Sequence, residues 1–204
     1  MKKSFEKMLA GYQTFRNKYV HGDSSVMQYL STYGQTPEIM VVACCDSRVD
    51  PALILQCDPG DLFVARNVAN IVPPYEKDKM HHGTSAALEF GIRYLHVKHL
   101  ILLGHSQCGG IQALLNHEKQ EDDFISEWVS LIKPDSQQNT QDIDEYAKLA
   151  LYKSYLNCMT FPWIHDKVSK KELLLHLWYF DIQSGQIFAY SEDQKKYQML
   201  LNIK

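Results

Sequence analysis

The chain lacks several features that would have widened its range of functions. None of its apolar runs approaches the roughly 18 residues that a membrane-spanning helix needs. The opening stretch, "MKKSFEKMLAGYQTFRNKYV", carries two early lysines but no apolar segment of signal-peptide length. The expectation is a cytoplasmic protein with no membrane partner. A clustered basic surface is missing as well: the formal net charge is −3, whereas contact with phosphate backbones needs grouped lysines and arginines. Nucleic acid is therefore excluded as a partner at this level. There is no internal repeat, no low-complexity tract and no linker-like stretch. Five cysteines, an odd number with no secretion signal, do not make a complete disulfide framework, so reduced thiols remain free to bind metal.

What is present suits one domain. With 204 residues, 45% of them hydrophobic, the chain can bury a substantial core, and residues 1–204 are read as a single unit. Phe5, Met8, Leu9, Tyr12 and Phe15 recur at helical spacing, which predicts an amphipathic helix in the first twenty residues that needs something to pack against. "EIMVVACC" (38–45), "DLFVAR" (61–66) and "HLILLGH" (99–105) read as short strands of a buried parallel sheet. "TSAALEFGIRYL" (84–95), capped by Thr84 or Ser85, and "YAKLALYKSYLNCM" (146–159) read as helices. Two aromatic-rich runs around "QSGQ" within 173–191 predict a hairpin at the sheet edge, and the polar, acidic stretch 117–145 predicts a surface helix with a loop around Pro134. The fold class is α/β, with a mostly parallel central β-sheet flanked by helices.

In open α/β sheets, functional groups gather beyond the carboxyl ends of the strands. Two of these ends carry metal-type ligands: the first strand runs into "CCDSRVDP" and the third ends in "GHSQCGG". Together Cys44, His105 and Cys108 offer two sulfurs and one imidazole. Such a set supplies three ligands that Zn²⁺ favours and leaves a fourth tetrahedral position for water, the pattern of a catalytic rather than a closed structural site. His-x-x-Cys lets both side chains reach one ion from a single turn, and Gly104, Gly109 and Gly110 let the backbone bend tightly around it.

The combination of C-x-D-S-R with G-H-S-x-C-G-G is far more specific than either half. Through "GQTP", "ACCDSRVDP", "PGDLFVARNVANIVPPY", "GTSAALEFGIRYL" and "LILLGHSQCGGI", the sequence resembles the β-class carbonic anhydrases, with the plant-type members nearest. The likeness is close over residues 34–111 and looser in the later helix and hairpin. It implies the fold of that class, with residues 1–32 as a helical arm wrapped round a partner subunit, and assembly as a homodimer or a higher multiple of dimers. It implies one Zn²⁺ per subunit on Cys44, His105 and Cys108, with Asp46 and Arg48 as a catalytic dyad beside it.

The implied reaction is reversible hydration of CO2 to bicarbonate and a proton by attack of zinc-bound hydroxide, with Asp46 orienting the nucleophile and Arg48 keeping Asp46 ionised. Gln35 and Phe63 match residues that family members bring to the substrate across a dimer interface, and Phe90 stands where plant-type members commonly have a tyrosine. The Gly109 and Gly110 amides are candidates for bicarbonate contact, with turn geometry as their alternative role. Tyr94 replaces a common histidine, so the resemblance assigns no proton route here. Val41 stands where bicarbonate-inhibited bacterial members have a tryptophan, although Arg66 keeps the arginine of that regulatory pocket; the expectation is a site open to water at neutral pH. Two alternatives use the same ligands: a hydrolase acting on carbon disulfide or carbonyl sulfide, and a zinc-stabilised binding protein without turnover.

Other reactive side chains take plainer readings. Cys45, opposite in phase to Cys44, is expected in the core, as are Cys57 and Cys158. His81 and His82 are read as surface histidines before a helix, and the other histidines have no partner motif.

Overall fold

The computed structural model describes residues 2–21, 25–78, 81–116, 123–133 and 140–202. Its centre is one six-stranded sheet: β1 (Ile39–Cys44), β2 (Leu62–Asn67), β3 (His99–His105), β4 (Leu174–Asp181), β5 (Gln186–Ser191) and β6 (Lys196–Met199), in the order β2-β1-β3-β4-β5-β6. The first four run parallel, and β5 and β6 continue the sheet antiparallel. The three runs expected to be parallel strands become β1, β2 and β3 with ends shifted by a residue or so. The expected hairpin is β4–β5, but it does not end the sheet. β4 pairs along seven positions with β3, and β6 takes the outer place.

β1 and β3 read as unbroken apolar runs because both of their faces are covered. On one face Val41, Ala43, Ile101 and Leu103 pack with Ile111, Val129, Ile132, Ala147 and Ala150. On the other, Met40, Val42, Leu100 and Leu102 pack with Leu88, Ile92, Leu151, Phe161 and Ile164. The covering helices are α4 (Gly83–Glu89), α5 (Gly109–Asn116), α6 (Phe124–Ser130), α7 (Ile143–Met159) and α8 (Pro162–Ser169). Two of these fall where helices were expected, 84–95 and 146–159, and α6 supplies the surface helix of the acidic stretch; Pro134 and His117 lie outside the described residues.

The helix expected over 84–95 starts at Gly83, with His82 rather than Thr84 or Ser85 at its cap, and its last turn, Phe90–Tyr94, is π-helical. His82 also pairs with Asp78 at 2.6 Å. Gly91 lies in the π turn. A β-carbon there would come within 2.7 Å of Met40 Sδ and 3.1 Å of Phe63 Cδ1, so the turn can lie this close to the sheet only without one.

The amino-terminal arm is two helices, α1 (Lys2–Tyr19) and α2 (Val26–Tyr33), the latter capped by Ser25. No residue of α1 is buried, and the apolar stripe from Phe5 to Phe15 faces largely outward, with only its Phe15 end close to Cys57, Pro59 and Leu62. Cys158 is fully enclosed, as expected, and its burial pushes the thiol pKa up. Cys57 is half-buried. Cys45 corrects the expectation: it is exposed, because β1 ends at Cys44 and the alternation that would turn its neighbour inward ends there too.

Candidate metal centre

The centre lies at the carboxyl ends of β1 and β3. These strands are neighbours, with Ala43 opposite Leu103, so Cys44 closing one and His105 closing the other emerge side by side. The chain then turns through Ser106 and Gln107 and returns Cys108 to the same point at the start of α5. All three side chains are buried, and their donor atoms lie within 4.8 Å of one another. Among the described residues this is the one cluster of three or more metal-type ligands.

The protonation pattern fits a cation. His105 Nδ1 sits 2.9 Å from the Ser106 carbonyl oxygen; a carbonyl only accepts, so Nδ1 donates and the lone pair lies on Nε2. Nε2 is buried and, among the described residues, has no hydrogen-bond partner. An orphaned buried acceptor is destabilising by about 1–3 kcal/mol and calls for an explanation. Beside it lie the Cys44 and Cys108 sulfurs. The neighbouring Cys108 draws the Cys44 thiol well below its ordinary range against its own burial, while Cys44 and burial push the Cys108 thiol up, so the pair favours carrying a single proton. A divalent ion taking that proton's place would satisfy both sulfurs and Nε2 together. Zn²⁺ suits this donor set and its incomplete coordination.

The ligands are held firmly. The Ile111 and Gly110 amides at the start of α5 favour an anionic Cys108 sulfur, against the larger opposing effects of Cys44 and burial. Gly110 has a second duty: a β-carbon there would come within 2.8 Å of both Ala69 Cβ and Val68 Cγ1, so α5 can approach that loop only with glycine. Gly109 is exposed, with open space where its β-carbon would be. Gly110→Ala should therefore lower Tm by about 2–10 °C, as expected for overpacking of about 1–3 kcal/mol in a chain of this size, while Gly109→Ala changes it little. Thermal unfolding followed by circular dichroism checks this; equal Tm values for the two variants would contradict the close packing.

Next to the sulfurs, Asp46 and Arg48 form a two-pronged pair. Arg48 Nε donates to Asp46 Oδ1 at 2.9 Å and Nη2 donates to Oδ2 at 2.7 Å, while the Arg48 backbone N–H adds a third bond to Oδ1 at 2.9 Å. These bonds hold the Asp46 carboxyl well below the usual carboxylate range, against a smaller opposing effect of burial. Arg66 fixes the loop beneath: it donates to the carbonyls of Cys44 and Asp46, each at 2.8 Å, and pairs with Asp50 Oδ2 at 2.7 Å. Asp50 in turn caps the short helix α3 (Pro51–Ile54).

Sequence reasoning missed Asp144. Its carboxylate accepts the Gln107 N–H at 2.8 Å, and Gln107 precedes a ligand. No local motif marks it, since it comes from α7, 37 residues further along the chain.

Gln35, Phe63 and Phe90 stand apart from their own chain's metal ligands. Phe63 lies four residues before the Asn67 that pairs with Cys44, which is about 13 Å along a strand. Gln35 is exposed and precedes β1, at the strand's other end from Cys44. Phe90, exposed in the π turn, leans on Phe63 with ring centroids 5.8 Å apart and stacks on Tyr94 at 5.7 Å.

A parallel α/β sheet with two thiolate-type ligands and one imidazole at its carboxyl edge, beside an arginine-held aspartate, defines a zinc-enzyme architecture. Residues 39–187 match the family model described as carbonic anhydrase. Two curated relatives are a carbonic anhydrase of Synechocystis sp., 34% identical over 91% of this chain and 70% of its own length, and β carbonic anhydrase 3 of Arabidopsis thaliana, 32% identical over 93% and 78%. Among solved structures, the β-carbonic anhydrase CcaA superimposes with a TM-score of 0.84 at 31% identity, covering 97% of this chain and 92% of that one. A tetrameric β-carbonic anhydrase from Sordaria macrospora gives 0.70 at 29% identity, covering 92% and 94%. The chain belongs to the β-class carbonic anhydrases.

Proposed function

We propose that this protein catalyses the reversible hydration of CO2 with Cys44, His105 and Cys108 holding zinc and with Asp46 and Arg48 directing the attack. The observation that carries the reading is the orphaned His105 Nε2, enclosed with two thiols beside the Asp46–Arg48 pair. Zinc, when bound there, supplies a Lewis acid that makes water nucleophilic near neutral pH. The chain's own groups do the rest. Asp46 stays ionised because Arg48 saturates one side of it. Oδ2 accepts only one of the Arg48 bonds and keeps a lone pair, which accepts a hydrogen bond from the attacking oxygen and turns that oxygen's own lone pair towards carbon. The carbonyl contacts of Arg66 keep Asp46 from drifting.

The substrate pocket is completed in a homodimer, with Gln35, Phe63 and Phe90 of one subunit reaching the centre of the other. Supporting this are their distance from their own chain's ligands, the outward apolar stripe of α1, and the tetrameric assembly of the Sordaria relatives. Gly109, exposed and with open surroundings, is the freer of the two glycine amides for a bicarbonate oxygen, because Gly110 is buried against Val68 and Ala69. Free thiols at the centre suit a reducing compartment, here the cytoplasm. The carbon disulfide or carbonyl sulfide reading gains no support from the relatives, all named carbonic anhydrases.

Stopped-flow CO2 hydration by the zinc-loaded protein from about pH 6.5 to 9 tests the function, spanning the pKa near 7 that zinc imposes on water. Substantial turnover is expected already near neutrality, because Asp46 is committed to Arg48 and stands outside the ligand set, and Val41 fills the core where a regulatory tryptophan would sit. Activity confined to alkaline pH and inhibited by bicarbonate would refute the open site, and none at any pH would refute the reaction.

A further inference from the structure

The Asp46–Arg48 pair depends on a residue no motif marks. Besides gripping Asp46, Arg48 Nη2 donates to the Gln107 carbonyl at 3.1 Å, so the place of that carbonyl governs where the guanidinium can sit. Gln107 lies between two metal ligands with φ of 54°, a left-handed conformation that is strained for a residue with a β-carbon. Contacts outside the turn must hold it there.

Asp144, in the first turn of α7, provides them. Its Oδ1 accepts the Gln107 backbone N–H at 2.8 Å and lies 3.5 Å from the side-chain amide nitrogen of the same residue. Asp144 is itself fixed, because its N–H donates at 2.8 Å to the carboxylate of Asp142, the cap of α7, and a helix N-terminus favours negative charge. The nearby cation is engaged elsewhere, since Lys148 pairs with Glu145 at 2.7 Å. Tyr179, buried in β4, also neighbours this carboxylate; burial first, and then the Asp144 charge, push its phenol pKa up, so the neighbour is a neutral hydroxyl.

We propose that Asp144 is a positioning residue of the reaction: through Gln107 it fixes the carbonyl that anchors Arg48, and so fixes the free lone pair of Asp46. This rests on the reading of the site as a CO2-hydrating centre. Asp144 touches neither substrate nor metal ligand, and acts only through the turn. Without it Gln107 can relax from its left-handed conformation, its carbonyl moves, and Arg48 keeps its grip on Asp46 without a fixed orientation.

The test compares zinc-loaded wild type with Asp144→Asn, Asp144→Ala and Asp144→Ser. Asparagine keeps an acceptor oxygen of the same reach. Serine keeps a polar residue suited to a helix start, so the fold is protected, but its oxygen stops short of Gln107. Two readouts are taken: kcat and KM by stopped flow, and hydrogen exchange of the Arg48 Nε–H by NMR, which needs no turnover. Alanine and serine are expected to lower kcat about tenfold with KM within about twofold and zinc content unchanged, and to speed Arg48 Nε–H exchange about tenfold, whereas asparagine stays within about threefold on both. Wild-type kcat and exchange in the serine variant would overturn the proposal, as would an asparagine variant as impaired as serine. A merely structural role would lower Tm without moving Arg48 exchange. If wild type itself does not hydrate CO2, the functional reading falls, while the exchange data still decide whether Asp144 positions Arg48.

Discussion

Replacing Asp46 with asparagine is expected to lower CO2 hydration by about a hundredfold or more, the scale on which loss of a preorganised polar group acts, while zinc stays bound. Asparagine has nearly the same shape, but one of its two terminal atoms is a donor. It cannot receive both prongs of Arg48: whichever way it turns one prong faces an N–H₂, and in one of the two orientations the attacking oxygen faces it as well. The carboxylate does two jobs at once, and the amide can do only one. Stopped-flow rates with zinc measured by atomic absorption separate this from metal loss. A variant within tenfold of wild type with full zinc would show that Asp46 is only an ion-pair partner.

Cys108→Ser is expected to reduce bound zinc to under about a tenth of the wild-type content after dialysis and activity to background, because serine's hydroxyl stays protonated where a thiolate is needed. The loss is amplified by the site's construction. The sulfur sits at the start of α5, where the Gly110 and Ile111 amides favour its anion once a cation offsets the opposing effects of Cys44 and burial. Folding should survive, since the sheet packs on both faces through aliphatic side chains and not through the metal. Zinc retention equal to wild type would remove Cys108 from the ligand set and leave Cys44 and His105 to hold the ion.

Much of this was legible in the sequence for physical reasons. β1 and β3 announce themselves as apolar runs because they are buried on both faces, and Cys44, His105 and Cys108 stand out because they interrupt those runs with polar chemistry at the strand ends. β6 was not legible: "KYQM" has no clear alternation, and its place comes from pairing with β5, Tyr190 opposite Tyr197. Cys45 was misread because the alternation rule was carried one residue beyond the strand. Gly110 could be read as a turn residue or a substrate contact, and only the neighbouring Val68 and Ala69 reveal a steric demand. Asp144 sits in a polar stretch that resembles any solvated helix start, and its pairing with Gln107 exists only after folding.

The placement of the ligands on two neighbouring parallel strands also orders events as the chain folds. Cys44 and Cys108 are separated by roughly 60 residues, and closing so long a loop is entropically unfavourable until the crossover between β1 and β3 has formed. The ion is therefore expected to arrive at a sheet already assembled and not to serve as its template. Cells short of zinc would accumulate this protein as a folded, inactive reserve that later metal could switch on without new synthesis.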